Sequence, residues 1–456
     1  MSFSGRRPYK TEFIINAITS PFSACTLRRA ALAIAGTLLL SCCTSKPPVS
    51  LVTPAGPVGH PGAVQEHGEQ VRGIWLTTVS RLDWPPISSA SISDTATRVA
   101  IQKKALTDKL DNLKSLGINT VFFQVKPDAS ALWRSAILPW SDTLTGHLGR
   151  DPGFDPLQFM LDEAHRRGMK VHAWLNPYRV STNTRASTIT ELNGTLTSQP
   201  PSVYVVHRDW IRTASDRFVI DPGIPEAREW ITSIVAEVVQ NYAVDGIQFD
   251  DYFYAETPAS SLNDAATFRR YGQGFASKAD WRRHNTQLLI EQVSRTVHQI
   301  KPGVPFGVSP AGVWRNRSQD AAGSDTRGAA AYDESYADTR RWVQMGLLDY
   351  IAPQIYWPFA RDAARYDVLA RWWADVVKPT RTRLYIGVAL YKVGESSRTE
   401  PDWTVEGGVP ELKRQLDFND AEPNIQGTIL FREDYLNRPQ TRQAVDYLRS
   451  RWGDAR

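Results

Sequence analysis

Asp250 and Asp251 stand side by side at the end of the segment Val244-Asp245-Gly246-Ile247-Gln248-Phe249-Asp250-Asp251-Tyr252-Phe253. The residues before them read as a buried strand, so two like charges arise where an apolar core gives way to a cleft. Burial and mutual repulsion both disfavour ionisation. At least one of the pair should keep its proton near neutral pH, which is what general acid catalysis requires. The bland use of such a pair is a helix cap beside a surface carboxylate, because structural networks perturb acids as active sites do.

Other chemistries are poorly provided for. A metal hydrolase wants clustered histidines, yet only His172 lies in a strand-like run, while His147, His165, His207, His284 and His298 fall in loops or helices. Ser309 precedes Pro310 with no G-x-S-x-G elbow. A retaining glycosidase of the usual kind places two acids on different strands, about 5 Å apart. Here Glu433 and Asp333-Glu334 are the obvious distant acids. Adjacent acids suit a different scheme, in which the 2-acetamido oxygen of an N-acetylhexosamine attacks the anomeric carbon. One carboxylate, Asp250, orients and polarises the acetamido group, and the other, Asp251, protonates the leaving oxygen. Side chains alternate along a strand, so both acids face one cleft only if a bulge or turn ends the strand there. No cofactor is called for.

The elements that must position these residues can be counted from Val71 onward. Strand-like runs occur at 71–77, 120–125, 170–175, 246–250, 305–309, 350–356, 384–390 and 427–431. Helical patterns lie between and after them, at 100–116, 156–167, 225–242, 278–300, 336–345, 363–377, 409–416 and 439–451. Eight strand-then-helix units, no two strands joined by a hairpin, predict a (β/α)8 TIM-type barrel. A doubly wound sheet is the runner-up, but no glycine-rich phosphate turn follows any strand. The longest connections, 176–224, 252–277 and 312–335, all run from a strand end into the next helix, so they share the catalytic face.

Strand ends on that face gather Thr77, Thr78 and Asp83, then Gln124, Lys126 and Asp128, then Trp174 and Asn176, then the acid pair, Ser309, Gln354, Tyr356, Trp357 and Tyr391. This bowl is polar and aromatic. Trp84, Trp133, Trp140 and Trp357 offer flat faces suited to the C–H faces of pyranose rings, although tryptophans also dominate cores.

The chain has 53 Lys plus Arg against 48 Asp plus Glu. Residues 1–41 carry much of that excess, which leaves the remainder about neutral and gives no reason to expect a nucleic-acid partner. Arg28-Arg29 precede the apolar run 30–40 and then Leu39-Leu40-Ser41-Cys42, so 1–41 reads as a signal peptide with a lipobox. Cys42 is the expected lipidation site, a membrane anchor through acyl chains. Cys43 rather than Asp follows it, which favours the outer membrane, facing the periplasm. Residues 42–70, rich in Pro and Gly, read as a flexible tether, and 71–456 as the barrel. No cysteine occurs after Cys43, so the barrel holds no disulfide.

Arg72-Gly73-Ile74-Trp75-Leu76-Thr77, Phe123-Gln124-Val125-Lys126-Pro127, His172-Ala173-Trp174-Leu175-Asn176-Pro177-Tyr178-Arg179, Asp221-Pro222-Gly223, Asp245 to Tyr252, and Pro353-Gln354-Ile355-Tyr356-Trp357 occur in order. Together they resemble the glycosyl hydrolase-like family 10 lipoproteins. The resemblance implies a TIM-type barrel, glycosidase activity and a cell-envelope location, with peptidoglycan strands stripped of their peptides as substrate. It adds Tyr178 and Tyr252 to the candidate sugar-binding residues. Lys126 stands where many relatives have Arg, and a lysine keeps the charge but loses the bidentate fork. The competing expectation is a non-catalytic lipoprotein that binds the same glycan.

Overall fold

The computed structural model describes residues 69–254 and 262–453. The leader expected over 1–41, the lipidation site Cys42 and the tether up to residue 68 lie outside the described residues. Ten strands are described: β1 (Val71–Leu76), β2 (Thr120–Lys126), β3 (Lys170–Leu175), β4 (Ile211–Ala214), β5 (Arg217–Ile220), β6 (Gly246–Phe249), β7 (Phe306–Val308), β8 (Tyr350–Ile351), β9 (Arg383–Val388) and β10 (Ile425–Leu430). All but β4 and β5 close one parallel barrel, in the order β1-β2-β3-β6-β7-β8-β9-β10 and back to β1. The helices that cover it are α1 (Thr95–Ser115), α2 (Pro156–Arg166), α3 (Pro225–Asn241), α4 (Lys278–Ile300), α5 (Thr339–Gln344), α6 (Tyr366–Val377), α7 (Val409–Ala421) and α8 (Arg442–Trp452). The (β/α)8 expectation is met.

Barrel strands must be apolar on both faces, because one face meets the helices and the other fills the barrel. On β2, Val121, Phe123 and Val125 join the large cluster under the helices, while Phe122 joins Trp75, Trp174, Tyr350, Tyr385 and Ile429 in a separate cluster within the barrel. Such bulk inside needs room elsewhere on the same face. Glycine supplies it: a Cβ on Gly246 would sit 2.4 Å from His172 Nδ1, and one on Gly307 would sit 2.3 Å from the Tyr350 ring.

Helix starts follow local chemistry. Asp155 caps α2 by accepting from the Gln158 amide at 3.0 Å, with Pro156 next in the first turn. Its other oxygen accepts from the Tyr242 hydroxyl at 2.6 Å, tying α2 to the end of α3.

One expectation is corrected and one element is unforeseen. The eight barrel strands are joined by no hairpin, as expected, but β4 and β5 pair antiparallel as a hairpin inside the long connection after β3. Its two-residue turn, Ser215-Asp216, has positive φ at both positions, the geometry that Asn-Gly normally signals, so the sequence carries little turn signal. The sixth barrel strand, expected over 350–356, ends at Ile351. Pro353 lacks an N–H and interrupts the ladder, which resumes only as isolated bridges from Gln354 to Ala311 and Gly387 at the barrel mouth.

Candidate active site

The ladder of β6 ends at Phe249, and the chain bends at Asp251. Strand alternation therefore no longer applies, and the two carboxyls turn to different partners. Asp250 turns toward the end of β3: its Oδ2 accepts from Asn176 Nδ2 and, at 3.4 Å, from Trp174 Nε1, while Oδ1 accepts from the Tyr252 amide at 3.2 Å. Asp251 turns toward the segment after β8, where Gln354 Nε2 donates to its Oδ1 at 3.2 Å and to the Ser309 carbonyl at 3.0 Å.

Environment separates the pair as well. Asp250 is buried, and its carboxyl is pushed up to about 7, first by loss of water and then by the Asp251 charge, against the pull of Arg179. Asp251 is half-buried and is also raised by burial, with Gln354 opposing. Three donors on Asp250 favour its ionised form, whereas Asp251 has a single side-chain donor.

The cations near the acids are themselves confined. Lys126 is fully buried at the end of β2 and donates to the carbonyls of Asn176 (2.7 Å) and Pro177 (3.3 Å). Burial pulls its ammonium down to about 7. Asp128 is pushed up to about 6 by burial and by Asp142, although the Ser130 hydroxyl donates to it at 2.5 Å. It lines a cavity of about 110 Å³ beside the mouth, with Arg81, Asp142, Asn183 and Glu191. Arg179 lies with its guanidinium 4.6 Å from the Tyr252 ring and lowers the carboxyls of Asp250 and Asp251 alike.

Aromatic side chains form the wall opposite. Tyr356 stacks on Phe431 at 5.7 Å and meets Tyr391 edge-on at 5.8 Å, with Trp357 half-buried next to it. Tyr178 lies deeper, 2% exposed, and its hydroxyl has no hydrogen-bond partner among the described residues.

Hydrogen bonds thus link Gln124, Trp174, Asn176, Gln354 and Tyr252 with the acid pair, and Lys126 joins through the Asn176 carbonyl. Other sequence candidates are elsewhere. Trp84 and Trp133 are fully buried, their indoles donating to the Gln102 carbonyl (3.0 Å) and to Glu237 (2.8 Å), so they are core rather than sugar platforms. Trp140 is half-buried beneath Arg134. His172 packs inside the barrel, 3.0 Å from the Tyr350 hydroxyl, with its imidazole pressed down to about 3 by burial. Glu433 is buried against Lys109 of α1, and Asp333 pairs with Arg315 at 3.1 Å. Sequence reasoning passed over Arg179. The need of two adjacent acids at a cleft for a nearby counter-charge was the available signal.

Residues 70–405 match the glycosyl hydrolase-like 10 family. Glycosyl hydrolase DigH of Escherichia coli K12 is 71% identical over 94% of this chain and 98% of its own length. Glycosyl hydrolase YngK of Bacillus subtilis is 40% identical over 81% of this chain and 69% of its own. Among solved structures, the PgaB (BpsB) glycoside hydrolase domain from Bordetella bronchiseptica is similar with a TM-score of 0.49, at 14% identity over 85% of this chain and 99% of that one. The chain belongs to the glycosyl hydrolase-like 10 family, and with it to the glycoside hydrolase class of enzymes.

Proposed function

We propose that the protein hydrolyses N-acetylhexosamine-containing glycan of the cell envelope, with peptide-free peptidoglycan strands as substrate and Asp250 and Asp251 as the catalytic pair. The observation that carries this reading is the unequal provision of donors. Asp250 accepts from Asn176, Trp174 and Tyr252, donors that favour its ionised form against the burial and the Asp251 charge that raise it. Half-buried Asp251, also raised by burial, has one side-chain donor and stands where a ligand can reach it.

In the reaction the acetamido carbonyl oxygen attacks the anomeric carbon as the glycosidic C–O bond breaks. Asp251 gives its proton to the leaving oxygen, and Asp250 accepts a hydrogen bond from the acetamido N–H, which becomes more acidic as the ring closes. Water then adds to the anomeric carbon and loses a proton to Asp251, and the acetamido group is restored. Tyr356 and Trp357 supply the flat wall along which sugar rings lie. A lipid anchor at Cys42 would place the barrel in the envelope beside such a substrate.

Purified peptide-free glycan strands, incubated with wild type and with Asp251→Asn, test the assignment by mass spectrometry of the products. New reducing ends from the wild type alone are expected, with turnover by the variant at least 100-fold lower, about the contribution of a positioned general acid. Equal turnover by the two would overturn the role of Asp251. Saturable binding without products from the wild type would make the protein a glycan-binding lipoprotein instead.

A further inference from the structure

Gln124 and Asn176 were expected to touch sugar, but they are 1% and 0% exposed. A ligand in the mouth does not reach them. Their hydrogen bonds run in one direction instead. The amides of Thr78 and Val79 both donate to Gln124 Oε1, each at 2.9 Å, which leaves that oxygen no freedom to exchange places with Nε2. Gln124 Nε2 therefore faces Asn176 and donates to its Oδ1 at 2.6 Å. With Oδ1 occupied, Asn176 must present Nδ2 to Asp250 Oδ2. The Asn176 backbone is held as well, its amide on the Lys126 carbonyl at 2.9 Å and its carbonyl on Lys126 Nζ at 2.7 Å.

We infer that Thr78, Val79, Gln124 and Asn176 form a directional relay, running from two fixed backbone amides to Asp250, which orients that carboxyl and selects its ionised form without contact with substrate. An isolated asparagine beside an acid can flip and present its oxygen. Here the flip is blocked two residues upstream, because backbone N–H groups can only donate. Gln124 and Asn176 are accordingly positioning residues rather than parts of a sugar subsite. This inference rests on the proposed role of Asp250, and its test is chosen to stand apart from that role.

Gln124→Glu keeps the acceptor for Thr78 and Val79 but deletes the donor to Asn176. The Asn176 amide is then free to turn, and Asp250 loses a donor. Losing a donor to the charged form raises a carboxyl pKa by roughly one unit. The charged or titratable groups facing Asp250 are Asp251 from its own segment, Lys126 from the end of β2, Arg179 from the connection after β3, and Tyr252. The substitution leaves these in place but adds a carboxylate at position 124, whose charge would also raise Asp250. Gln124→Met, which removes the donor to Asn176 without adding a charge, is therefore measured beside it.

The indole N–H of Trp174, which donates to Asp250, reports the titration directly by NMR and is assigned by its absence in Trp174→Phe. In the intact protein the titration midpoint sensed by this indole is expected to move up by about one pH unit in Gln124→Glu. A change in the other direction, or none, overturns the relay. Where glycan turnover is measured in parallel, kcat at pH 7 is expected to fall about fivefold, as the ionised fraction of Asp250 falls, with KM nearly unchanged. A rise in KM with kcat and the acid limb unmoved would instead identify a sugar contact. An upward shift in Gln124→Glu that is absent in Gln124→Met would come from the added charge and overturns the relay. Gln124→Met provides the same readouts if Gln124→Glu does not fold. A wild type without turnover would defeat the proposed function but leave the indole titration to decide the relay.

Discussion

Asp250 and Asp251 are adjacent in sequence but chemically unequal, and the inequality comes from their neighbours. A carboxyl whose folded pKa lies above its unfolded value weakens the fold as pH rises from the unfolded value through the folded one, because the folded state binds the proton more tightly. Asp250, raised to about 7, should therefore cost stability above neutral pH. Asp250→Asn is expected to melt several degrees higher than wild type at pH 8, a gain on the order of 2 kcal/mol that closes as pH falls toward 4. Scanning calorimetry at the two pH values checks it. A variant less stable than wild type at pH 8 would mean that the donors around Asp250 outweigh its burial. The pair itself was legible in the sequence, since a run of strand-forming residues ending in two acids admits few structural uses. The donors were not, because Asn176, Trp174 and Gln354 come from segments more than 70 residues away in the chain.

Seven of the eight barrel strands and the helices at 156–167, 225–242 and 278–300 lie within two residues of their expected bounds. The helix expected at 100–116 starts at Thr95, and the one expected at 409–416 runs on to Ala421. Misreadings fell where a local signal was missing, as in the Ser215-Asp216 turn, or where one residue broke a run, as at Pro353. The glycines of the barrel carry a meaning that no single strand reveals: Gly246 on β6 makes space for His172 on β3, its ladder partner. Gly246→Ala is expected to destabilise the protein by about 1–3 kcal/mol through overpacking, and to lower turnover because the acids follow directly on β6. Urea unfolding measures the loss, and adding His172→Ala should recover part of it. No recovery would place the strain elsewhere than against this ring.

At the scale of the molecule, residues 69–453 supply every strand of the closed barrel and every side chain placed at the mouth. A chain beginning at residue 69 is expected to unfold cooperatively and to match the full-length protein on soluble glycan fragments to within about twofold, well inside the range of a fraction of a kcal/mol. Cys42→Ala in the full chain should move the protein from the membrane fraction to the soluble one, as shown by fractionation of cells. Retention on membranes would remove Cys42 as the anchor.

The class of architecture, the position of the acids at a strand end and the family were legible along the chain, because periodicity and ordered motifs are properties of neighbouring residues. The sequence could not decide which tryptophans face sugar and which fill the core: Trp84 and Trp133 sit in loops like Trp357, yet helices α1 and α3 bury them. Nor could it decide that Gln124 and Asn176 lie beneath the mouth rather than in it. Those outcomes depend on barrel closure, which brings β2, β3 and β6 side by side and turns residues that are polar in the sequence into a buried hydrogen-bond chain ending on Asp250.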